Sequence, residues 1–292
     1  MSADTPAAKI LANGSATIAL TGNAATALAA LRTEAAHFFT QDQAVKCRHG
    51  SSDFNFGFRP FGRQYSVTPD RLDLNESFTY WADDPSTVPD SSQIAPLMHA
   101  LGAYWTVVAG ITENILHALA THYDYPHPPL AFHGSSYIEV NWYRQDGTRD
   151  LMQDRHEDGH LLTIAAPDSP GLEIETAEGM GPASTSSNEV LVMPGSLLTA
   201  MTAGDVPPLY HQVRNHQLSR RTTVLFLVNP PLDQLVRPVC PGCTGDRHSR
   251  YGLRQRSHVR AATRAGDTCG AANVRTGGIM PTRAQTPRGA HG

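Results

Sequence analysis

The sequence predicts a mainly β fold in which helices come first and a core of short strands follows. Three observations carry this. Two N-terminal stretches repeat apolar residues at intervals of three and four. From residue 134 onward the pattern changes to short apolar or alternating runs divided by turn residues, with no helical stretch between them. The chain has 292 residues, 40% of them hydrophobic, enough to bury the core of one large domain or two small ones.

Taken in order, "MSADTPAAKILANG" lacks a basic start followed by an apolar core, so no signal peptide is expected. Residues 24 to 39 are Ala- and Leu-rich, with Leu28, Leu31, Ala35 and Phe38 at helical spacing. Residues 48 to 90 mix Gly, Pro, Asp and Ser with aromatics and read as loops with short strands. From Ser92 to about His122 the series Leu97, Leu101, Trp105, Val108, Ile115 and Leu119 predicts a long helix, with Ser92 or Asp90 as its cap. The strand runs after 134 are "SSYIEVNWY", "HLLTIAA", "GLEIET", "NEVLVMPG", "SLLTAM", "LYHQV" and "RTTVLFLVNPP", which suggest a sandwich or barrel over about 134 to 231. The organisation read from this is a helical region over 1–133 packing on the core, a β core over 134–239, and a tail over 240–292. That tail is rich in Arg and Gly, has few large apolar residues, and is expected to be disordered.

Composition excludes several functions. Only 17% of residues are charged and the net charge is −4, so no whole-protein basic field exists for nucleic acid. No run of 18 apolar residues predicts a membrane span. Four cysteines, Cys47, Cys240, Cys243 and Cys269, are sparse, and a reduced, cytoplasmic protein is expected, a monomer or weak dimer. Cys240 and Cys243 form "CPGC", half of a zinc motif whose other half is missing unless His248 or Cys269 supplies it. Lysine occurs only at Lys9 and Lys46 amid abundant Arg and Ala, which reads as the codon bias of a GC-rich genome.

The chemistry concentrates in "QDRHEDGHLLTIAAP", residues 153 to 167. On an extended backbone, His156 and Asp158 point to one side and Glu157 to the other. A nitrogen and an oxygen ligand on one face make two-thirds of a facial triad, which suits iron(II) and leaves three positions open. The third ligand must come from a neighbouring strand. His211 is the candidate, with His160 and His216 as competitors. Ten residues after His211 comes "RTT", in which Arg221 and Thr223 share a face. A guanidinium beside a hydroxyl is a fork for a carboxylate. Because "VLFLVN" follows, Arg221 falls in a buried strand, where an unpaired cation is costly. An anionic guest near the metal accounts for it. Arg220 points the opposite way, Gly195 and Ser196 read as a turn with no chemical role, and Glu157 and His160 as supporting or surface groups.

In order and spacing, His156-x-Asp158, His211 and Arg221-x-Thr223 resemble the iron(II)/2-oxoglutarate-dependent dioxygenases, in the branch that contains isopenicillin N synthase. "HEDGHLLTI", "GLEIETAEG", "VMPGSLL", "YHQVRN" and "RRTTVLFLVNPP" are similar to the family's segments, and the likeness covers about residues 25 to 235. It implies a double-stranded β-helix, or jelly roll, with supporting N-terminal helices. It implies Fe(2+) on His156, Asp158 and His211, and 2-oxoglutarate held by Arg221 and Thr223. "IEVNWY" resembles the segment that places a tyrosine over the co-substrate, which adds Tyr143 and, more weakly, Asn141. No catalytic residue beyond the metal ligands is implied. The activity implied is O2-dependent hydroxylation, desaturation or ring closure of a small molecule, an amino-acid or peptide-like intermediate of specialised metabolism such as antibiotic biosynthesis. The alternative is an isopenicillin N synthase-type oxidase that works without 2-oxoglutarate. The sequence departs from the family at Arg144, where proline is common, and at Thr223, where serine is. Its opening is short, which leaves the usual first strand in question.

Overall fold

The computed structural model describes residues 2–125, 130–144 and 148–231. The tail over 240–292, with Cys240, Cys243, Cys269 and His248, lies outside the described residues, and so does 232–239. Cys47, expected as a reduced thiol, is disulfide-bonded.

The chain opens with helix α1 (Pro6–Asn13), whose limits are written in its sequence. The Thr5 hydroxyl accepts from the Ala8 N–H, Pro6 starts the first turn, and Gly14 closes the helix in the left-handed region at φ 75°. Strand β1 (Ala16–Ala19) follows and pairs with β9 (Glu189–Pro194) at one edge of a seven-stranded sheet. The short opening therefore does supply a first strand. Helix α2 (Gly22–Phe39) buries Leu28, Leu31, Ala35, Phe38 and Phe39, the face that its spacing predicts. Helix α3 (Gln43–Cys47) is a single turn that leads into β2 (Gly57–Arg59) and β3 (Asn75–Tyr80).

Helix α4 (Ala95–His122) is the long helix expected, but its start differs. Neither Ser92 nor Asp90 caps it by a side chain, because residues Ser91–Ile94 form a 3-10 turn that runs into it. By length and hydropathy α4 resembles a membrane span. Its Leu101, Tyr104, Trp105, Val108 and Ile115 are instead buried in the protein core, with Trp105 edge-on to Phe226 at 4.9 Å.

The β core comprises β4 (Tyr137–Tyr143), β5 (Leu151–His156), β6 (Leu162–Pro167), β7 (Leu172–Thr176), β8 (Gly179–Pro182), β9, β10 (His211–Arg214) and β11 (Arg221–Val228). The large sheet runs β1-β9-β6-β11-β4-β3-β2, and a four-stranded sheet runs β5-β10-β7-β8. Three strands of the large sheet, β1, β2 and β3, come from the N-terminal region. β5 and β8 were not anticipated: "LMQDRH" carries too many polar residues and "GMGP" too many glycines to read as strands alone. "SLLTAM" is a correction. It forms helix α5 (Ser196–Met201), a single polar-bounded turn whose Leu197, Leu198 and Met201 face the core at helical spacing.

Strand alternation divides the interior in two. Ile138, Val140, Val224, Phe226, Ile164 and Val192 face the helices and form the main apolar core. The opposite face of the same strands looks toward the small sheet and carries the polar residues of the site.

Candidate metal centre and anion clamp

β5 and β10 are antiparallel neighbours, and their register sets His211 directly opposite His156. The two imidazoles lie 4.3 Å apart between ring centres. Asp158, just past the end of β5, completes the group: its Oδ1 is 3.8 Å from His156 Nε2 and its Oδ2 is 3.8 Å from His211 Nε2. Two donors held about 2.1 Å from one ion stand at most about 4.2 Å apart, so each carboxylate–imidazole pair can share a cation. Among the described residues these three are the only such group of His, Cys, Asp or Glu.

Their surroundings favour metal binding. His156 Nδ1 lies 2.6 Å from the Asp154 carbonyl and His211 Nδ1 lies 3.2 Å from that of Leu209. Each contact fixes the tautomer that leaves Nε2 free toward Asp158. Burial alone would raise the Asp158 carboxyl, but His211, His156, His160 and the Thr163 hydroxyl bring it down to about 2. It is ionised at neutral pH, as a ligand must be. Burial and the neighbouring His211 lower His156, which keeps it neutral.

The competitors for the third ligand stand elsewhere. His160 is buried with Nδ1 2.7 Å from Asn229 Oδ1, and His216 is exposed. Glu157 bonds the Tyr210 hydroxyl at the surface. The Gly195–Ser196 turn has a part that sequence reasoning missed. Ser196 N–H donates to the Asp158 carbonyl at 2.8 Å, Gly195 N–H to Leu161 and Leu197 N–H to His160. A Cβ on Gly195 would overlap the His160 carbonyl and crowd that of Asp158 at 2.7 Å. The turn is the floor on which the Asp158 loop rests.

Arg221 and Thr223 sit on β11 and face the small sheet. The Arg221 guanidinium is 1% exposed. Its Nη1 donates to Thr223 Oγ1 at 2.8 Å, its Nε to the Pro170 carbonyl at 3.2 Å, and its plane lies over the Tyr143 ring at 4.6 Å. Its Nη2 is buried with no partner. A charged donor left unpaired in the interior costs more than the about 1–3 kcal/mol of a neutral one, and a carboxylate guest would remove that cost. Tyr143 is opposite Arg221 across β4–β11, and its hydroxyl donates to Gln153 on β5 at 3.0 Å. Burial pushes that hydroxyl up to about 12, so it stays a donor. Asn141 is opposite Thr223, but its Oδ1 accepts from Asn75 at 2.8 Å, which commits it to β3. Arg220 is exposed on the other side of the strand.

Beyond the clamp, the same face of β2, β3 and β4 is polar. Arg59 pairs with Glu139 at 3.1 Å, both buried, and Gln64 Nε2 donates to the other Glu139 oxygen at 3.0 Å. Arg63 is buried against the Phe54 ring and Tyr65 is buried beside it in the chain. Asn75 Oδ1, Ser77 Oγ, Thr79 Oγ1 and the Tyr137 hydroxyl are buried without partners. Periodicity could not have shown this, since "NESFTY" reads as an ordinary alternating strand.

No family model matches the chain. Fold and site nevertheless define a class: the chain has the double-stranded β-helix fold of the iron(II)/2-oxoglutarate oxygenases, with a His-Asp-His group at its mouth. JOX2 in complex with 2OG, Fe and JA superposes with a TM-score of 0.66 at 16% identity, over 81% of this chain and 74% of that one. The dioxygenase for auxin oxidation 1 of Arabidopsis thaliana, in complex with 2-oxoglutarate, superposes at 0.61 and 18% identity, over 82% and 92%. In sequence, clavatol oxidase claD of Penicillium crustosum is 27% identical over 171 residues, 53% of this chain. The chain spans about half the length of that relative.

Proposed function

We propose that the protein is an iron(II)-dependent oxygenase that takes 2-oxoglutarate as co-substrate and oxidises a small molecule. The observation that carries the reading is the pairing of two sites on one face: the His156, Asp158 and His211 group, and the Arg221 guanidinium with its orphaned Nη2. His156, Asp158 and His211 would hold the iron. Arg221 and Thr223 would bind the distal carboxylate of 2-oxoglutarate, with Tyr143 stacked on the guanidinium and Asn141 steadying the adjoining strand. Iron with 2-oxoglutarate supplies the oxidising power from O2 when both are bound. The chain's own residues position the partners: the two Nδ1 contacts fix the imidazoles, Thr163 orients the carboxylate of Asp158, and the buried sheet face keeps water out. A 2-His-1-carboxylate face leaves three coordination positions for co-substrate and O2. The likeness to solved oxygenases and to clavatol oxidase supports the oxidoreductase reading.

Anaerobic reconstitution with iron(II), then O2 uptake and succinate release with and without 2-oxoglutarate, tests the reading. Iron bound at one per chain and succinate formed only with 2-oxoglutarate are expected. A chain that takes up no iron is not an oxygenase of this kind. Iron-dependent O2 uptake that ignores 2-oxoglutarate identifies the oxidase instead.

A further inference from the structure

The polar wall of β2, β3 and β4 carries buried polar atoms that neither the metal group nor the Arg221 clamp uses. Cross-strand register places Asn75 against Tyr143, Ser77 against Asn141 and Thr79 against Glu139, so all six side chains share the inner face with Arg221 and Thr223. Arg59 continues the row opposite Ser77. Tyr137, at the start of β4, stands on the same face, with its ring edge-on to that of His160 at 5.9 Å, in the loop that also carries Asp158.

Charge on this wall is closed on itself. The Arg59 Nη1 meets Glu139, and its Nε and Nη2 both donate to the Phe54 carbonyl, at 3.1 and 2.8 Å. Glu139 has one donor on each oxygen. Four neutral atoms are left over: three hydroxyls, on Ser77, Thr79 and Tyr137, and the Asn75 amide oxygen. Each of their side chains is at least nine-tenths buried. An apolar guest would leave all four unsatisfied, which a site built for hydrogen bonds rejects strongly. With the Arg221 fork taken by the co-substrate carboxylate, a charged guest would meet no free counter-charge among these wall residues and would lose its hydration.

We propose that the substrate of this site is a neutral, oxygen-rich small molecule, bearing several hydroxyl or amide groups, bound by Asn75, Ser77, Thr79 and Tyr137. The proposal rests on the oxygenase reading for its chemistry, but the wall can be tested without turnover. The full-length protein is melted alone and with matched probes: erythritol, mannitol and N-acetylglycinamide on one side, hexanoate, benzoate and benzyl alcohol on the other. The polar neutral set is expected to raise Tm and the acids and aromatics are not. In Ser77→Ala and Thr79→Val that rise is expected to vanish, while the ligand-free variants melt about 2–4 °C higher than the parent because a buried orphan hydroxyl is gone. Shifts from the acid or aromatic set alone, no shift from any polar probe, shifts that survive in both variants, or variants that melt lower than the parent would each overturn the proposal. Succinate formation by the iron-loaded parent is measured alongside. Its absence removes the oxygenase reading and leaves the melting shifts to decide the wall.

Discussion

At the residue scale, two side chains separate binding from stability. Arg221 is held by Thr223, Pro170 and the Tyr143 ring, and still has one unpartnered nitrogen. Arg221→Leu keeps the volume and removes the charge. Loss of one partner from a buried charge pair costs about 2–5 kcal/mol. The apparent KM for 2-oxoglutarate is therefore expected to rise about 30-fold or more. If only the KM of the oxidised substrate moves, Arg221 holds that substrate and the oxidase reading gains. Asp73 works through stability instead. Burial raises its carboxyl from the ordinary 3.8 to about 6, against the opposing pull of His156 and the Ser66 hydrogen bonds. A raised folded value means stability that is full below about pH 4 and is lost as pH rises through about 6. The interval, at about 1.36 kcal/mol per pH unit, amounts to about 3 kcal/mol. Metal-free Asp73→Asn is expected to be more stable than the parent at pH 7.5 and to lose the slope between pH 4 and 6. Urea melts at pH 4, 6 and 7.5 measure this, and an unchanged slope would refute it.

At the element scale, two contacts fix the frame around the site. The α5 turn carries the Asp158 loop, since the backbone N–H groups of 195, 196 and 197 all donate into residues 158–161. Gly195→Ala puts a Cβ where backbone carbonyls stand, and backbone cannot swing aside as a side chain can. Weaker iron binding together with a lower Tm is expected, while a variant that binds iron like the parent would show that the loop has room. On the outer face, Lys46 on α3 pairs with Glu76 on β3 at 2.6 Å, both almost fully buried, and also donates to the Phe39 carbonyl. Breaking a buried pair by removing one partner costs about 3–5 kcal/mol, because the other charge is left stranded. Lys46→Met is expected to lower stability by that amount in chemical denaturation, and a loss under about 1 kcal/mol would mean that Glu76 finds water or a proton. Lys46 was visible in the sequence only as a rarity. Its partner 30 residues away belongs to a strand whose burial on both faces no local pattern discloses.

Across the whole molecule, legibility followed the range of the interaction. The helices α2 and α4, and the strands β4, β6, β7, β9 and β11, were readable because their apolar period is local. The triad candidates were readable because i, i+2 geometry is local too, and His211 was singled out by its distance to Arg221. What the sequence hid depends on pairing. The short polar strands β5 and β8 exist because β10 and β7 hydrogen-bond them, and the backbone N–H groups of residues 195–197 find their acceptors in the distant loop 158–161. The polar wall is hidden for the same reason, as it is a property of three strands in register. The folded frame also brings two segments 53 residues apart together in one His-Asp-His group, so a metal bound there should be visible as global stability. An ion that binds only the folded state adds RT ln(1 + [L]/Kd), about 4 kcal/mol at a thousandfold excess over Kd. At roughly 2–4 °C per kcal/mol for a domain of this size, anaerobic iron(II) is expected to raise Tm by about 8–16 °C. His211→Ala, which removes a donor from β10 while Asp158 and His156 stay in place, is expected to lose most of that shift. If it keeps the full shift, the ion is held elsewhere, and β5 and β10 are joined by their hydrogen bonds alone.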